Sequence, residues 1–371
     1  MEPRILQKRS GCRGVVNGKE IVIFSSNDYL GLSCHPEVIR AASKAAGDYG
    51  IGTGGAPGTT GTTDLHQELS KAIAAFKSRD KAVLFPSGYQ ANIAIHHALA
   101  SPDTVFHLDK RHHPSAVDGA RLGVGSKLNK FDHINLENLE KSLKFNSGKS
   151  NIVSLPSVFT VDADIAPLDR IAELKNRYEF ILILDEAHAT GCVGRTGCGL
   201  EEFFNLHGIA DFIMGSFSKA LGSQGGFVAY NNMSESRLKS GFRQLSYSTS
   251  LSTISVAAAL KALQIFQNDA GIYSSLKKAK SMIIHQCHRR NIKITTHESM
   301  ILLVPCDNLI EAIEKLLYDG FFVVPAKAYL NGQKQDCLRI TPMSLHTESD
   351  INTFVNLMSK HVIQDRNQRK I

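Results

Sequence analysis

The sequence contains no tryptophan, and its basic residues are scattered along the chain rather than gathered in one segment. The 371 residues carry a formal net charge of +7, and basic residues cluster only modestly in the tail 361–371. An excess of positive charge can indicate nucleic-acid binding, but here no basic patch is interleaved with aromatic residues. The sequence therefore predicts no nucleic-acid partner, and it predicts a solvated helix end for the tail.

Cysteine is sparse, and the seven residues form no C-x-x-C pair. This spacing indicates neither a disulfide framework nor a zinc site, so no metal is expected. No apolar run approaches the roughly 18 residues of a membrane span. The first residues also lack the apolar stretch of a secretory signal. The sequence therefore predicts a reduced, cytoplasmic protein with no membrane partner.

Short apolar runs alternate with longer, partly helix-like segments through the middle of the chain. The runs cover residues 82–85, 105–108, 152–155, 181–184, 212–214 and 227–230. Run 181–184, with sequence ILIL, is apolar on both faces, as expected of a strand inside a sheet covered by helices. The alternation predicts an α/β architecture with a mostly parallel sheet.

The remaining pattern predicts an arm before this region and a smaller α/β unit after it. Asn17-Gly18 lies between two apolar runs, which predicts a hairpin over residues 15–24. Further helices are expected at 35–49, 63–76, 253–266, 272–290 and 348–361, and further strands at 300–304, 321–324 and 337–341. The predicted domains are an N-terminal arm (1–35), a large domain (36–265) and a small C-terminal domain (266–371).

The motif Asp-Glu-Ala-His at 185–188 follows the buried strand 181–184 directly. A carboxylate leaving an apolar strand needs a cationic partner, because burying it alone is costly. For Asp185 that partner could be a pyridinium nitrogen, with His188 near the ring's 3-oxygen, or a basic side chain in a core-edge ion pair. A helicase motif would require an upstream G-x-x-x-x-G-K-[ST] loop, which the sequence lacks.

Lys219 lies in Ser-Phe-Ser-Lys-Ala-Leu-Gly at 216–222, after the predicted strand 212–214. Small hydroxyl residues and glycines surround it, which is unusual for a solvated surface lysine. A lysine that forms a Schiff base needs a lowered pKa and room for a cofactor. The motif 185–188 upstream favours that interpretation over a surface charge, and Ser216 could add a phosphate contact.

Two further segments are candidates for the same site. Ser87-Gly88-Tyr89 follows a predicted strand and opens a helix, so its backbone N–H groups could bind phosphate, although a plain strand-to-helix turn has the same pattern. Either His112 or His113 could stack on an aromatic ring, or both could be surface residues. The glycine-rich stretch 50–61 lacks the third glycine of a dinucleotide fingerprint and is expected to be a flexible loop near substrate.

Together these segments resemble the α-oxoamine synthase family of pyridoxal 5′-phosphate (PLP) enzymes, which have fold type I. The matching pieces occur in family order over nearly the whole chain: FSSNDYLGL at 24–32, TTGTT at 59–63 with His66, SGYQAN at 87–92, DADIAPL at 162–168, DEAH at 185–188, SFSKALG at 216–222 and YSTSL at 247–251. The resemblance implies a large domain with a mostly parallel sheet, a smaller C-terminal domain, and PLP as cofactor.

The resemblance also implies a role for individual residues around the cofactor ring. Lys219 would carry PLP as a Schiff base, and Asp185 would pair with the pyridine nitrogen. His188 and Thr160 would reach the 3-oxygen. Between the two adjacent histidines, His113 aligns with the one that stacks on the ring.

Other implied roles concern the phosphate and the amino-acid substrate. The residues expected to bind phosphate are Gly88, Tyr89 and Ser216. Thr249 would reach the phosphate of the neighbouring subunit's cofactor, which implies a homodimer. Asn27 and Arg339 match the positions that hold the substrate carboxylate.

Within the family, the resemblance is strongest to the 8-amino-7-oxononanoate synthases, which implies condensation of L-alanine with a pimeloyl thioester of CoA or of a carrier protein, in biotin synthesis. Alternatives are a sister synthase similar to 2-amino-3-ketobutyrate CoA ligase or serine palmitoyltransferase, a synthase of an α-aminoketone signal, and a non-catalytic subunit. The sequence departs from the family at Pro156-Ser157, at Ile134 and over 324–333, and these departures bear on acyl specificity.

Overall fold

The computed structural model describes residues 4–238, 241–330 and 333–363. Its strands are β1 (Leu6–Ser10), β2 (Arg13–Val16), β3 (Lys19–Ile23), β4 (Lys81–Phe85), β5 (Thr104–Asp109), β6 (Lys127–Phe131), β7 (Ser150–Pro156), β8 (Ile181–Asp185), β9 (Phe212–Ser216), β10 (Gly226–Tyr230), β11 (Leu302–Pro305), β12 (Phe321–Phe322), β13 (Val324–Leu330) and β14 (Gln333–Ile340). Its α-helices are α1 (Pro36–Tyr49), α2 (Asp64–Phe76), α3 (Gly88–Leu99), α4 (Pro114–Arg121), α5 (Leu136–Phe145), α6 (Leu168–Arg177), α7 (Leu200–Phe204), α8 (Asn232–Glu235), α9 (Arg243–Ser246), α10 (Thr253–Asn268), α11 (Ala270–Arg289), α12 (Leu309–Tyr318) and α13 (Glu348–His361).

The described residues divide into two compact units. The first unit draws on Met1–His35, Thr160–Asp164 and Phe266–Ile371, and the second on Pro36–Phe159 and Ile165–Ile265. The division into an N-terminal arm (1–35), a large domain (36–265) and a small C-terminal domain (266–371) stays a prediction. Positions 331 and 332 of the divergent segment 324–333, and the basic tail from 364 onward, lie outside the described residues.

The second unit is built on a seven-stranded sheet with strand order β4-β10-β9-β8-β7-β5-β6. Strands β5 to β9 run parallel to one another, and β10 is antiparallel to both of its neighbours. The predicted α/β architecture with a mostly parallel sheet is therefore confirmed. Strand β6 was not predicted, because its sequence, KLNKF, is polar at the edge of the sheet and only its last residue is buried.

The core of this unit lies between the sheet and the helices that cover it. Every residue of β5, β8, β9 and β10 is buried, which explains why their sequences show no polar–apolar alternation. Apolar side chains of α3 and α4 pack against the sheet, including Ile95, Leu99 and Val117. The packing holds the carboxyl ends of the parallel strands in one row, where open α/β sheets bind their ligands.

The first unit contains two small sheets. In the four-stranded sheet β1-β2-β3-β12, Asn17 and Gly18 form the predicted hairpin turn, with positive φ angles of 51° and 75°. The three-stranded antiparallel sheet has the order β11-β14-β13. The single strand expected at 321–324 is wrong: β12 pairs with β3, whereas β13 pairs with β14. Within the described residues no helix is long and apolar enough to cross a membrane.

Candidate functional site

Strands β4, β8 and β9 of the seven-stranded sheet end at the same edge of the sheet. Strand β8 ends at Asp185, and its parallel neighbour β9 ends at Ser216. On the antiparallel strand β10, Gly226 pairs with Ser216 on one side and with Phe85, the end of β4, on the other. The sheet therefore brings the predicted site segments 87–89, 185–188 and 216–219 to one edge, because each of them follows the end of one of these strands.

Asp185 is buried, and both of its carboxylate oxygens accept hydrogen bonds. Its Oδ1 accepts from the backbone N–H of Ala187 at 3.0 Å, and its Oδ2 accepts from the side-chain amide of Asn92 at 2.7 Å. These two neutral donors hold the carboxylate in place without neutralising its charge. A carboxylate held in this way suits a cationic ring nitrogen of a ligand.

The ion pair that the sequence allowed for Asp185 is formed instead by the next residue. Glu186 pairs with Lys77 of the α2 C-terminal turn, and both side chains are only 1% exposed. Glu186 also accepts a hydrogen bond from the backbone N–H of Leu200 at 2.7 Å. A Cβ atom on Gly199 would lie 2.0 Å from the Glu186 carboxylate, so glycine is required there. Glu186 therefore supports the loop after the motif, and Asp185 remains available to a ligand.

The N-terminus of α3 lies against Ser216. Ser87 caps this helix by accepting a hydrogen bond from Gln90 N–H at 3.1 Å, while the first N–H groups of a helix have no partner within it. A Cβ atom on Gly88 would lie 3.2 Å from the Ser216 Oγ, which shows how closely the two segments approach. The helix N-terminus and the Ser216 hydroxyl together form a place where an anion such as phosphate can bind.

Lys219 lies in a tight turn after β9 and is half-buried. The backbone carbonyl of Lys219 accepts a hydrogen bond from Gly222 N–H at 2.9 Å, and Gly222 adopts a positive φ of 60°. Burial raises the pKa of the Cys192 thiol, and the nearby charge of Lys219 opposes that shift. Lys219 therefore lies close to Cys192, which belongs to the turn 187–192 together with half-buried His188.

The two adjacent histidines have different surroundings. His112 is buried, with its Nε2 atom 2.9 Å from Ser154 Oγ, and desolvation holds its pKa well below the usual value. His113 is exposed, caps α4, and contacts Ser115 Oγ through Nδ1 at 2.7 Å. Its ring lies edge-on to that of Tyr89, with centroids 6.3 Å apart. Of the two, only His113 can present its ring to a ligand.

The predicted phosphate residue Thr249 is exposed and lines a cavity of about 210 Å³. This part of the chain is held by His66, whose Nε2 atom lies 2.8 Å from the carbonyl oxygen of Leu251. Ser250 N–H also donates a hydrogen bond to the Gly55 carbonyl at 3.0 Å. The loop 50–61 and the segment 247–251 are thus attached to each other.

The remaining predicted residues belong to the first unit. Arg339 of β14 donates a hydrogen bond to Asn27 Oδ1 at 3.2 Å, and both side chains are half-buried. A guanidinium beside an amide provides donors that can bind a carboxylate. Thr160 is half-buried at the start of the segment Thr160–Asp164.

Comparisons with known proteins agree on one family. The family model described as aminotransferase class I and II matches residues 19–357. An 8-amino-7-oxononanoate synthase of Lysinibacillus sphaericus is 33% identical over 351 residues, covering 93% of this chain and 90% of the relative. A serine palmitoyltransferase of Bacteroides thetaiotaomicron is also 33% identical, covering 96% and 91%. A solved structure of SPT (serine palmitoyltransferase) with a PLP internal aldimine is also similar. It superimposes with a TM-score of 0.91 at 26% identity, and the match covers 97% of this chain and 92% of the other.

The chain belongs to the class I and II aminotransferase family, whose members similar to it are PLP enzymes of fold type I. Within that class it is an α-oxoamine synthase, a PLP-dependent acyltransferase. The residues present fit the cofactor, since an anion-binding helix N-terminus, a buried carboxylate and a half-buried lysine follow the ends of three strands of one sheet.

Two polar residues at this edge were not predicted as site residues. Asn92 and Ser115 are each 1% exposed, and they connect the side chains of Asp185 and His113. Asn92 was recognised only as the end of the motif 87–92. One sequence signal indicates such a residue: a polar side chain on the face of a helix that packs against the sheet and is otherwise mostly apolar.

Proposed function

We propose that this enzyme condenses an amino acid with an acyl thioester, with loss of CO₂, and that L-alanine and a pimeloyl thioester are its substrates. The product would be 8-amino-7-oxononanoate, an intermediate of biotin synthesis, with release of CO₂ and of the free thiol of CoA or of a carrier protein. The proposal rests on the position of two residues at neighbouring strand ends. The buried carboxylate of Asp185 ends β8, and Lys219 follows the parallel strand β9.

When bound, PLP supplies an electron sink for the electrons left by a departing proton or by CO₂. Asp185 would bind the ring N–H, and its two donors keep the carboxylate aimed at that position. His113 would cover one face of the ring, while His188 and Thr160 would contact the 3-oxygen. The N–H groups of Gly88 and Tyr89 and the Ser216 hydroxyl would bind the phosphate, as anions bind at helix N-termini.

Lys219 would hold the cofactor between turnovers and transfer protons during them. Once the amino acid has displaced it, its free amine can take the substrate's α-proton, and the ammonium can return a proton after CO₂ has left. Asn27 and Arg339 would orient the substrate by its carboxylate, supported by their 3.2 Å contact. Thr249 would reach the phosphate in the partner subunit of a homodimer, consistent with its exposed position.

A second candidate is the condensation of L-serine with a long-chain acyl thioester. The serine palmitoyltransferase relative is as similar in sequence as the synthase relative, at 33% identity. The SPT structure also superimposes along 97% of the chain. Both candidates share the cofactor site and differ in the acyl pocket and in the amino-acid side chain.

The test offers alanine, glycine and serine to the PLP-loaded enzyme, each with pimeloyl, acetyl and palmitoyl thioesters, and measures CO₂ and free thiol. Release of CO₂ and thiol only with the pair of alanine and pimeloyl thioester would support the first proposal. Release with the pair of serine and palmitoyl thioester would support the second. Light scattering of the purified protein would test the homodimer. No turnover with any pair, despite bound PLP, would contradict both candidate reactions.

A further inference from the structure

A single buried amide lies between two side chains that are expected to touch the cofactor ring. Asn92, on the second turn of α3, places its Nδ2 atom 2.7 Å from Asp185 Oδ2 and 3.0 Å from Ser115 Oγ. Ser115 Oγ in turn lies 2.7 Å from the Nδ1 atom of His113. The four side chains form a continuous chain of hydrogen bonds from the end of β8 to the start of α4.

The chemistry of the groups fixes the direction of each hydrogen bond. An ionised carboxylate only accepts, so the Asn92 amide nitrogen donates one hydrogen to Asp185 and the other to the Ser115 hydroxyl. The Ser115 hydroxyl then donates its own hydrogen to Nδ1 of His113, which also receives the Ser115 backbone N–H at 3.3 Å. His113 Nδ1 is therefore an acceptor, and the ring hydrogen of the neutral imidazole lies on Nε2.

Asn92 is itself held by a second set of buried contacts. Its backbone carbonyl oxygen lies 2.8 Å from Nδ1 of His96, whose Nε2 atom lies 2.9 Å from Ser154 Oγ. Ser154 also contacts His112, so the network spans α3, β7 and the turn before α4. All of these side chains are buried, and among the described residues the side-chain oxygen of Asn92 has no hydrogen-bond partner. The amide is therefore held by its two N–H groups, which donate to Asp185 and Ser115.

We propose that Asn92 is a positioning residue that sets the Asp185 carboxylate and the His113 ring relative to each other through its two N–H groups. The inference rests on the proposed roles of Asp185 at the ring nitrogen and of His113 at the ring face. Leucine has nearly the same size but no donor, and aspartate would place a second carboxylate beside Asp185. Asparagine therefore suits the position because it supplies two donors to two acceptors.

The experiment compares the dissociation constants of two ligands, PLP and its carbocyclic analogue, in which C–H replaces the ring nitrogen. In Asn92→Leu, PLP should bind roughly ten- to a hundredfold more weakly, the size of one hydrogen bond to a charged group. The analogue makes no contact through that atom and can lose only the contribution of the His113 ring, so its dissociation constant should rise by clearly less than that of PLP. A purely structural role would weaken both ligands equally, and that result would overturn the inference.

Asn151→Leu is the matched control, because it removes another buried amide whose donors serve the carbonyls of Asn146 and Lys149. It should lower stability without changing the ratio of the two dissociation constants. If Asn92→Leu does not fold, Asn92→Asp retains a polar side chain of the same shape and should give the same selective loss for PLP. An unchanged ratio in Asn92→Asp would also overturn the inference.

Asp185→Ala separates this inference from the proposed function. It should weaken PLP binding and leave binding of the carbocyclic analogue nearly unchanged. If Asp185→Ala weakens both ligands equally, the proposed role of Asp185 fails, and the inference about Asn92 fails with it. If Asp185→Ala is selective but the Asn92 variants are not, only the inference about Asn92 is overturned.

Discussion

Adjacent residues of the motif 185–188 have separate tasks. Among the described residues, Asp185 accepts hydrogen bonds from two neutral donors, whereas Glu186 is buried in an ion pair with Lys77. The sequence indicated that the Asp185 carboxylate needs a partner, because it directly follows a buried strand, and the ion pair that it allowed there is formed by Glu186 instead. It could not assign the partner, since Lys77 is 109 positions away from Glu186 and only the packing of α2 brings it there.

Removing one member of the buried ion pair should be costly. Lys77→Met leaves Glu186 charged and without its counter-ion, so we expect it to lower the free energy of unfolding by about 3–5 kcal/mol. The double variant Lys77→Met/Glu186→Gln should recover part of this loss, because no charge is left buried. Urea denaturation measures both, and Lys44→Met, from an exposed pair with Asp48, is the control with little expected change.

Ile134 has a backbone conformation that its side chain disfavours. Its φ is +52°, while its N–H donates a hydrogen bond to Asp109 Oδ2 at 2.8 Å. Asparagine tolerates the left-handed region better than a β-branched residue does. Ile134→Asn should therefore raise the free energy of unfolding by about 1 kcal/mol. Ile134→Val should not raise the free energy of unfolding, because valine is also β-branched. A lower free energy of unfolding in Ile134→Asn would contradict this explanation.

At the scale of elements, the approach of α3 to β10 determines where the N-terminus of α3, the proposed phosphate site, lies. A Cβ atom on Gly226 would lie 2.6 Å from Gly88 Cα, and backbone cannot give way as a flexible side chain can. Gly226→Ala should displace the start of α3 from Ser216 and weaken PLP binding by roughly tenfold, the loss of one charge-assisted hydrogen bond.

The matched control for this change is Gly47→Ala, which lies within α1 with open space at its Cβ position. It should add about 0.5–1 kcal/mol of stability, because alanine is the better helix former, and leave PLP binding unchanged. Equal PLP affinity in the Gly226→Ala and Gly47→Ala variants, measured by titration, would contradict the proposed role of the α3 N-terminus.

Strongly patterned elements could be predicted from the sequence, and elements set by tertiary contacts could not. Helix α13 has the bounds predicted from the sequence, 348–361. Its start is well defined because Thr347 and Asp350 form a capping box there. Strand β6 was missed because KLNKF pairs with β5 at an edge and needs little burial. The run 321–324 was assigned to one strand, because nothing local indicates that Val323 separates strands of two different sheets.

The same limit applies to the candidate site. Residues in motifs at strand ends, such as Asp185 and Ser216, could be proposed from the sequence, because the strand before each is clearly apolar. Asn92 and Ser115 could not, since their importance depends on which side chains α3 and α4 bring together. Local patterns indicate the chemistry of a site, whereas its supporting contacts come from the packing of elements distant in sequence.

At the scale of the whole molecule, two buried histidines in different units should make stability depend on pH. Burial lowers the pKa of His96 and of His346 from 6.5 to about 4. The unfolded chain takes up these protons near pH 6.5 and the folded protein only near pH 4, so protonation favours unfolding. The stabilisation is present above pH 6.5 and is lost as the pH falls toward 4, by about 3 kcal/mol for each histidine.

Urea denaturation at pH 7, 6 and 5 measures this dependence. His346→Gln should unfold more easily at pH 7, because the stacking of His346 on Phe24, at 3.9 Å between ring centroids, is lost. Its stability should nevertheless fall less steeply between pH 6 and pH 5, since one titrating group has been removed. If the free energy of unfolding of His346→Gln falls with pH as steeply as that of the wild type, the assignment of this pH dependence to His346 is contradicted.

The central claim is that Lys219 carries the cofactor of this enzyme. The most direct measurement is borohydride reduction of the PLP-loaded protein, followed by proteolysis and mass spectrometry of the labelled peptide. We predict one phosphopyridoxyl group, attached to Lys219, and no label on that peptide in the Lys219→Ala variant. A label found on a different lysine, or no label at all after PLP has been added, would contradict the account.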